Sequence, residues 1–315
     1  STILGTGMAQ AGGFDRSGQD TSIILKEGNL LEITSVSVSP KVTGTYSGST
    51  TTGSVAPNYS FTNIAFRANI SDDMSLAVIQ DEPFGAQVNW TGGGYDGVKA
   101  DIKSSATTAL VSYDFADNIT IYGGLKSQSL SASASNPVVG GYSISSNTNS
   151  SVGYVFGGAI EKPEIAMRVA LTYHSKIGHD LSVVESSNYG TQPSADIKVD
   201  TPEAFNFDFQ TGVAENTLLF GNIRYVKWTQ LLIKPEHYKT LTAAYGGLAL
   251  KDFKQNTTSY TLGLGRKFSD QWSGAVTYGT EAALDGTGSA LGPTDGYSKM
   301  GVGVTYTGDN ATITL

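Results

Sequence analysis

This sequence has no cysteine, no excess of basic residues and no long apolar run. The absence of cysteine rules out a cysteine nucleophile within the chain, but says little about its redox compartment. Lys and Arg number 20 against 28 Asp and Glu, and the formal net charge of -8 argues against nucleic acid as a partner. Because no run of 18 apolar residues occurs, no transmembrane helix is predicted.

Glycine and aromatic residues are abundant, and apolar and polar residues alternate in many short segments. The 315 residues include 38 Gly, 16 Tyr and 12 Phe, whereas the hydrophobic fraction of 39% is low for a large buried core. Alternation with a period of two is typical of β-strands. This profile fits a bacterial outer-membrane barrel as well as a soluble β protein.

The alternating segments predict twelve strands and the start of a thirteenth. They lie near 29–45, 59–71, 74–90, 97–115, 118–134, 151–162, 165–183, 198–212, 217–231, 257–268, 271–282 and 297–307, and the thirteenth begins at Ala311. Short turns and long loops alternate strictly between them, and several strands exceed the soluble average of about 5–6 residues. All long loops then fall on one rim, as in an outer-membrane barrel, whereas a soluble sandwich gives no reason for this order.

The two faces of these strands differ as the faces of a membrane barrel do. Three phenylalanines alternate with three polar residues in 205–210, and charged side chains share one face of 165–176. In an outer-membrane barrel the apolar face is outside and the charged face lines the lumen. Four residues are predicted to line the lumen: Arg67, Arg168, His174 and Lys176. Trp228, near a strand end, is predicted to join an interfacial aromatic girdle.

The predicted strand 74–90 is interrupted in its middle. The interruption consists of Asp81, Glu82, Pro83, Phe84 and Gly85. Proline cannot donate to a strand ladder, and two carboxylates do not suit a lipid-facing strand. Unpaired backbone groups cost several kcal/mol in hydrocarbon, so a kink is tolerable only where the chain turns into the lumen. The interruption therefore predicts an inward kink that opens the wall sideways, with an ordinary bulge near a loop as the alternative.

Five stretches of the sequence, in this order, resemble the FadL family of outer-membrane long-chain fatty acid and hydrocarbon transporters. They are GGFDRSGQ (12–19), KEGNLLEITSVSVSPKVTGT (26–45), LAVIQDEPFGAQV (76–88), MRVALTYHSKIGHDL (167–181) and TPEAFNFDFQTGVAENTLLFGNIRYVKW (201–228). The resemblance implies an all-β fold, a transmembrane antiparallel β-barrel of 14 strands. It also implies an N-terminal hatch that plugs the lumen and an inward kink in the third strand, which is 74–90 in this chain.

These expectations divide the chain into three parts. Residues 1–11 end in a small-x-small site and are expected to be a signal-peptide remnant, 12–28 the hatch, and 29–315 the barrel. About twelve and a part of the fourteen strands are present, so the sequence is expected to be a fragment without its last strands. The hatch segment is too polar and aperiodic for a lipid-facing strand. Four of its apolar residues are predicted to line a ligand pocket: Phe14, Ile23, Ile24 and Leu25.

No catalytic, metal or cofactor site is predicted. The sequence lacks a Gly-x-Ser-x-Gly elbow, and adjacent carboxylates such as Asp81 and Glu82 point apart in a strand. His174 and His179 are five positions apart, so they are expected on opposite faces and not as joint metal ligands. The chain is therefore expected to be neither an enzyme nor a cofactor-binding protein.

Three functions are compatible with such a barrel. The first is passive uptake of hydrophobic small molecules, such as long-chain fatty acids or hydrocarbons, with release sideways into the membrane. Five residues of the loop 232–256 are predicted to capture the ligand: Leu232, Ile233, Tyr238, Leu248 and Phe253. The alternatives are a general porin for hydrophilic solutes and a structural or adhesin barrel. The expected partners are a hydrophobic ligand and outer-membrane lipid, for a monomer located in the bacterial outer membrane.

Overall fold

The structure is a computed structural model that describes residues 14–46, 50–193, 195–283, 291–292 and 296–315. Its regular structure is almost entirely antiparallel β, which confirms the predicted all-β class. In these ranges the single α-helix is α1 (Glu236–Leu241), and no helix is long and apolar enough to cross a membrane. The predicted signal-peptide remnant at 1–11 and the first two hatch residues lie outside the described residues.

The strands follow the order predicted from the sequence. They are β1 (Leu30–Val38), β2 (Thr45–Tyr46), β3 (Thr50–Thr51), β4 (Tyr59–Asn69), β5 (Met74–Asp81), β6 (Gly85–Asn89), β7 (Lys99–Ala116), β8 (Ile119–Asn136), β9 (Tyr142–Ser146), β10 (Asn149–Lys162), β11 (Met167–His174), β12 (Ile177–Ser187), β13 (Gly190–Thr191), β14 (Ala195–Thr201), β15 (Ala204–Ala214), β16 (Thr217–Val226), β17 (Leu232–Ile233), β18 (Lys251–Asp252), β19 (Thr257–Lys267), β20 (Trp272–Glu281), β21 (Tyr297–Thr307) and β22 (Thr312–Thr314). Single 3-10 turns lie at Ser22–Leu25, Gly93–Tyr95, Pro163–Ile165, Trp228–Gln230 and Ala243–Tyr245.

Most of these strands form one wall in which each strand pairs with the next one along the chain. Some positions in the wall are occupied by two successive strands, which are written here with a slash. The order is β1, β4, β5/β6, β7, β8, β9/β10, β11/β12, β14/β15, β16, β19, β20, β21 and β22. Short turns join the wall strands at one rim, and most connections at the other rim are longer, as predicted. Two of the predicted long loops, 135–150 and 184–197, are instead partly strand, because β8 continues to Asn136 and β12 to Ser187.

The wall is apolar outside and mixed inside, the reverse of a soluble domain. Along β7 the inward-facing side chains include Ser104, Thr108 and Ser112, all buried. Many large apolar residues face outward instead, among them Val111, Leu125, Val152, Tyr154, Phe156, Leu171, Leu262, Leu264 and Val302. Such a surface is stable against lipid, since lipid does not penalise exposed apolar side chains as water does.

Two predicted strands are shorter than expected. β1 ends at Val38 and not at 45, just before Pro40, which has no N–H to donate to a ladder. β16 ends at Val226 and not at 231, because the chain turns there into the 3-10 turn Trp228–Gln230. That turn carries Trp228 into the interior, where the side chain is fully buried. The prediction of Trp228 as an interfacial girdle residue is therefore wrong.

Candidate functional site

The N-terminal segment 14–28, called the hatch here, lies inside the wall. Phe14, Ile23 and Ile24 are buried, and Leu25 packs partly buried beside the cluster that holds both isoleucines. That cluster also contains Leu110 and Tyr122 of the wall. Ile23 and Ile24 thus fix the hatch to the wall, whereas Phe14 lies in a separate apolar cluster on the side of the long loops.

The interruption of the third wall strand lies directly against the hatch. β5 ends at Asp81 and β6 begins at Gly85, so three residues oppose two of β7. The Pro83 carbonyl accepts a hydrogen bond from Arg16 N (3.0 Å), and Gly85 N donates to the Phe14 carbonyl (2.7 Å). The backbone groups freed by the interruption are therefore bound by the hatch, as a buried backbone requires.

Phe84 is held by a side chain instead of a strand partner. Ser104 Oγ of β7 accepts from Phe84 N (2.9 Å) and donates to the Phe84 carbonyl (2.8 Å). The Phe84 ring, 2% exposed, then points inward toward Trp228, with ring centroids 5.7 Å apart. This serine lets the chain bend without leaving the Phe84 backbone unpaired.

The bend leaves a gap in the wall between β4 and β6. β5 pairs with β4 from Ser75 to Gln80, opposite Asn69 to Ile64. In the described part of the chain, β6 forms a ladder with β7 alone, so the portion 59–63 of β4 has no strand beside it on this side. The outer end of the gap is closed where Asn89 N donates to the Val55 carbonyl (2.8 Å). Beside the hatch, the wall therefore has no β-ladder between β6 and the portion 59–63 of β4.

A buried ion pair anchors the hatch on the far side of the lumen. Asp15 accepts two hydrogen bonds from Arg224 of β16, at 2.5 Å from Nε and 3.1 Å from Nη2. Arg224 Nη1 also donates to Asn206 Oδ1 (2.8 Å), and Asn206 Nδ2 donates to the Gly18 carbonyl (3.0 Å). Both charged side chains are almost completely buried, so each depends on the other.

Further polar contacts join the hatch to the remaining walls. Ser17 Oγ donates to Asp81 Oδ2 (2.5 Å). Lys126 Nζ donates to Gln19 Oε1 (2.9 Å) and lies 3.1 Å from His174 Nδ1. Since an ammonium can only donate, His174 Nδ1 is the acceptor, and its buried imidazole faces inward.

The two predicted lumenal arginines bind hatch carbonyls. Arg67 Nη1 donates to the Gly28 carbonyl, and Arg168 Nη2 donates to the Leu25 carbonyl (2.7 Å). Arg168 also forms an ion pair with Glu161. These side chains project inward from β4 and β11, so they hold the end of the hatch that leads into β1.

Lys176 differs from its prediction. Its side chain is 44% exposed and pairs with Asp200 at 2.7 Å on the outer face. The cause is a break between β11 and β12, where Ser175 and Lys176 leave the ladder and both His174 and Ser175 face inward. Every later residue of this wall strand therefore changes face.

The same break corrects the expectation for the histidines. His174 and His179 both face inward, 2% and 0% exposed, although five positions separate them. His179 Nδ1 lies 3.3 Å from Asn149 Oδ1. No group of three or more potential metal ligands occurs among the described residues.

An apolar pocket lies beside the hatch on the side of the long loops. Its cavity volume is about 50 Å³. It is lined mainly by small or branched apolar residues of β7, β8, β9, β12 and β14, including Ala100, Ile102, Leu130, Ala132, Ile144, Leu181, Val183, Ile197 and Val199. Phe14 and Phe84 complete its wall toward the hatch and the gap. The lining suits a hydrophobic small molecule, whereas the cavity is smaller than the pockets of about 300–1,000 Å³ that usually hold such ligands, so the lining must move apart to admit one.

The loop predicted to capture ligand covers this pocket. Ile233, Tyr238 and Phe253 are buried, whereas Leu232 and Leu248 are exposed. Three of the five predicted capture residues thus lie in the interior, because the loop folds onto the pocket and places its short helix α1 against β9 and β12. The Phe253 ring packs against Phe14 (5.3 Å) and Trp228 (5.0 Å). Burial raises the pKa of Tyr238, so its hydroxyl stays protonated.

No protein-family model matches the chain, and no curated protein is similar to it in sequence. Solved structures are similar to it in fold. A Pseudomonas aeruginosa FadL homologue superposes with a TM-score of 0.67 at 16% identity, over 85% of this chain and 70% of that one. The Ralstonia pickettii toluene transporter TbuX has a TM-score of 0.59 at 11% identity, over 91% of this chain and 81% of that one. The Pseudomonas putida toluene transporter TodX has a TM-score of 0.59 at 12% identity, over 95% of this chain and 88% of that one.

The chain has the fold of the FadL-type outer-membrane β-barrels. The resemblance seen in the sequence is thereby confirmed at the level of the fold, while identities of 11–16% leave the activity to be argued from the site. The sequence did not indicate that Asp15 of the hatch pairs with Arg224 of β16. Arg224 gave a signal, since it shares a face with Leu218 and Phe220 and so disturbs the alternation of its strand.

Proposed function

We propose that the protein is a passive channel of the bacterial outer membrane for uptake of hydrophobic small molecules, which leave sideways through the gap between β4 and β6. The observation that carries this proposal is the position of the gap directly beside the apolar pocket, with Phe84 belonging to both. The comparisons support it at the level of fold, because proteins described as toluene transporters share the architecture.

An apolar solute gains nothing from a water-filled pore, since apolar surface is unfavourable in water. The loop 232–253 covers the pocket from outside, the pocket offers apolar walls, and the gap leads to lipid. The hatch fills the lumen next to the pocket and contacts walls on several sides. A hatch that lies across the lumen supports this proposal over a general porin, which needs a continuous aqueous path. Long-chain fatty acids and monoaromatic hydrocarbons are both suitable substrate classes.

Uptake by purified protein in liposomes tests the proposal. Wild-type protein should accelerate the uptake of radiolabelled oleate or toluene while showing little ion conductance in planar bilayers. Ala132→Phe places a bulky side chain in the pocket and should strongly reduce uptake. Thr107→Phe is the matched control, because Thr107 lies on the outward face of β7 and the variant should transport as the parent does. A steady ohmic conductance with uptake insensitive to Ala132→Phe would indicate a porin instead.

A further inference from the structure

One hatch side chain bridges the lateral gap. The Arg16 guanidinium carbon lies 4.5 Å from the ring centroid of Tyr59, at the start of β4. Arg16 Nη1 pairs with Glu82 Oε2 at 3.0 Å, on the opposite edge of the gap. Arg16 is therefore in contact with both edges of the opening, and its side chain is 7% exposed.

The start of β6 is shaped around this side chain. A Cβ atom built on Gly85 would overlap the Arg16 guanidinium group, so only glycine lets the arginine lie across the strand without displacement. Tyr59 and Phe61, both on the inner face of β4, stack with ring centroids 6.3 Å apart. The gap is therefore lined by apolar rings and is filled by a cation.

Adjacent hatch residues point to opposite walls. Hatch residues 14–17 pair antiparallel with 82–85, and Asp15 forms a bridge with Phe84. In an extended segment successive side chains alternate, so Asp15 faces Arg224 while Arg16 faces the gap. In the hatch, Asp15, which pairs with Arg224, is thus directly followed by Arg16, which fills the gap.

The two ion pairs differ in how strongly they are held. The Asp15–Arg224 pair has side-chain exposures of 0% and 1% and is bidentate, whereas Glu82 in the other pair is 36% exposed. Solvent weakens an ion pair and stabilises its separated charges. Arg16 can therefore leave its site while Asp15 keeps the hatch in place.

We propose that Arg16 is the gate residue of the lateral opening. Its side chain closes the gap at rest and must swing away before a hydrophobic ligand passes between β4 and β6. This inference rests on the proposed lateral uptake. It identifies the residue that limits the rate of ligand release and the chemical class of ligand that can pass. An uncharged apolar body can replace the guanidinium against Tyr59 and Phe61 once the ion pair with Glu82 has opened.

The test compares Arg16→Ala and Glu82→Gln with Lys26→Ala in liposomes. Arg16→Ala should raise the initial rate of oleate uptake by about fivefold, which corresponds to about 1 kcal/mol. Glu82→Gln should raise it less, because Tyr59 still holds the guanidinium. Lys26→Ala is the control, since Lys26 pairs with Glu32 at the other end of the hatch and should leave the rate unchanged. Folding of each variant is checked by heat-modifiable electrophoretic mobility.

A second measurement does not depend on transport. The chain has no cysteine, so Phe61→Cys introduces a single thiol on the inner side of the gap. Its labelling by a maleimide dissolved in the bilayer should be slow with Arg16 present and at least about fivefold faster in the Arg16→Ala background. Labelling and uptake unchanged by Arg16→Ala would overturn the gate. Wild-type protein without uptake, but with labelling that depends on Arg16, would instead refute the proposed function and keep the gate.

Discussion

At the scale of single residues, Asp15 and Arg224 are central to the hatch. The two side chains are 209 positions apart in sequence and form two hydrogen bonds in a site that excludes water. Desolvating two charges is unfavourable, so the pair does not make the barrel stable by itself. The pair favours this position of the hatch, because a hatch without Asp15 would leave the Arg224 guanidinium buried without its charge partner.

Asp15→Asn is expected to loosen the hatch more than removing both charges does. Breaking one partner of a buried pair costs about 3–5 kcal/mol, whereas replacing both with apolar groups is often close to neutral. Amide hydrogen exchange in residues 14–19 should therefore accelerate about a hundredfold in Asp15→Asn, as a loss of about 3 kcal/mol implies. The double variant Asp15→Leu with Arg224→Leu should show a smaller acceleration.

The matched control for this prediction is Lys227→Ala. Lys227 directly follows β16, and its exposed side chain pairs with Glu203. Removing this side chain should leave amide hydrogen exchange in the hatch unchanged. Equal exchange rates in Asp15→Asn and wild type would show that the hatch is held by its other contacts.

At the scale of elements, the loop over the pocket is fixed by one carboxylate. Glu185 of β12 is buried, and its Oε1 accepts from the Tyr142 hydroxyl (2.8 Å) and from Tyr238 N (3.1 Å). Its Oε2 accepts from His237 N (3.1 Å). Pro235 precedes α1 and its side chain cannot cap the helix. Glu185 of β12 instead accepts hydrogen bonds from N–H groups of the first turn of α1.

Glu185→Ala should release α1 from the pocket. Each buried donor left without an acceptor costs about 1–3 kcal/mol, and two amides and one hydroxyl lose theirs. Hydrogen exchange at His237 and Tyr238 is expected to rise by at least about tenfold, the change that corresponds to about 1.4 kcal/mol. Oleate uptake at low ligand concentration should fall, because the pocket loses its cover.

Glu236→Gln serves as the control for the loop. Glu236 is exposed and pairs with Lys239 one turn later, so its neutralisation should leave both the exchange and the uptake as in the parent. Unchanged protection of α1 in Glu185→Ala would mean that apolar packing, such as that of Tyr238 on Tyr142 (4.8 Å), is sufficient to hold the loop.

The strands were predictable from the sequence because alternation is a local property. The interruption from Asp81 to Gly85 was visible for the same reason, since Pro and two carboxylates do not fit a lipid-facing strand. The partners of the hatch were not predictable, because Asp15 and Arg224 meet only through the tertiary fold. Lys176 and His179 were placed on the wrong faces because a two-residue break between β11 and β12 leaves no signature in the alternation.

At the scale of the whole molecule, the hatch separates two interior compartments. On the side of the long loops lies the apolar pocket, which is lined in part by Phe14 and Phe84. The rings of Trp228 and Phe253 pack against Phe14. On the other side lies a cavity with a volume of about 230 Å³. Its lining is mixed and includes Asp20, Thr172, Asn206, Asp208, Asn222 and Thr261. In the proposed uptake, the hatch separates a hydrophobic ligand in the apolar pocket from this second compartment.

Deleting residues 12–25 should therefore convert the proposed hydrophobic channel into a pore for ions. The deletion removes the side chains that bind Arg224, Lys126 and Asp81, and these charged groups would then face water in a continuous lumen. We expect a steady ohmic conductance in planar bilayers, compared with little conductance for the parent. Arg16→Ala is the matched variant, because it opens the gap to lipid but keeps the hatch in the lumen, so its conductance should stay low. If the deletion left conductance unchanged, the hatch would not be the element that closes the lumen, and the separation of the two compartments would need another cause.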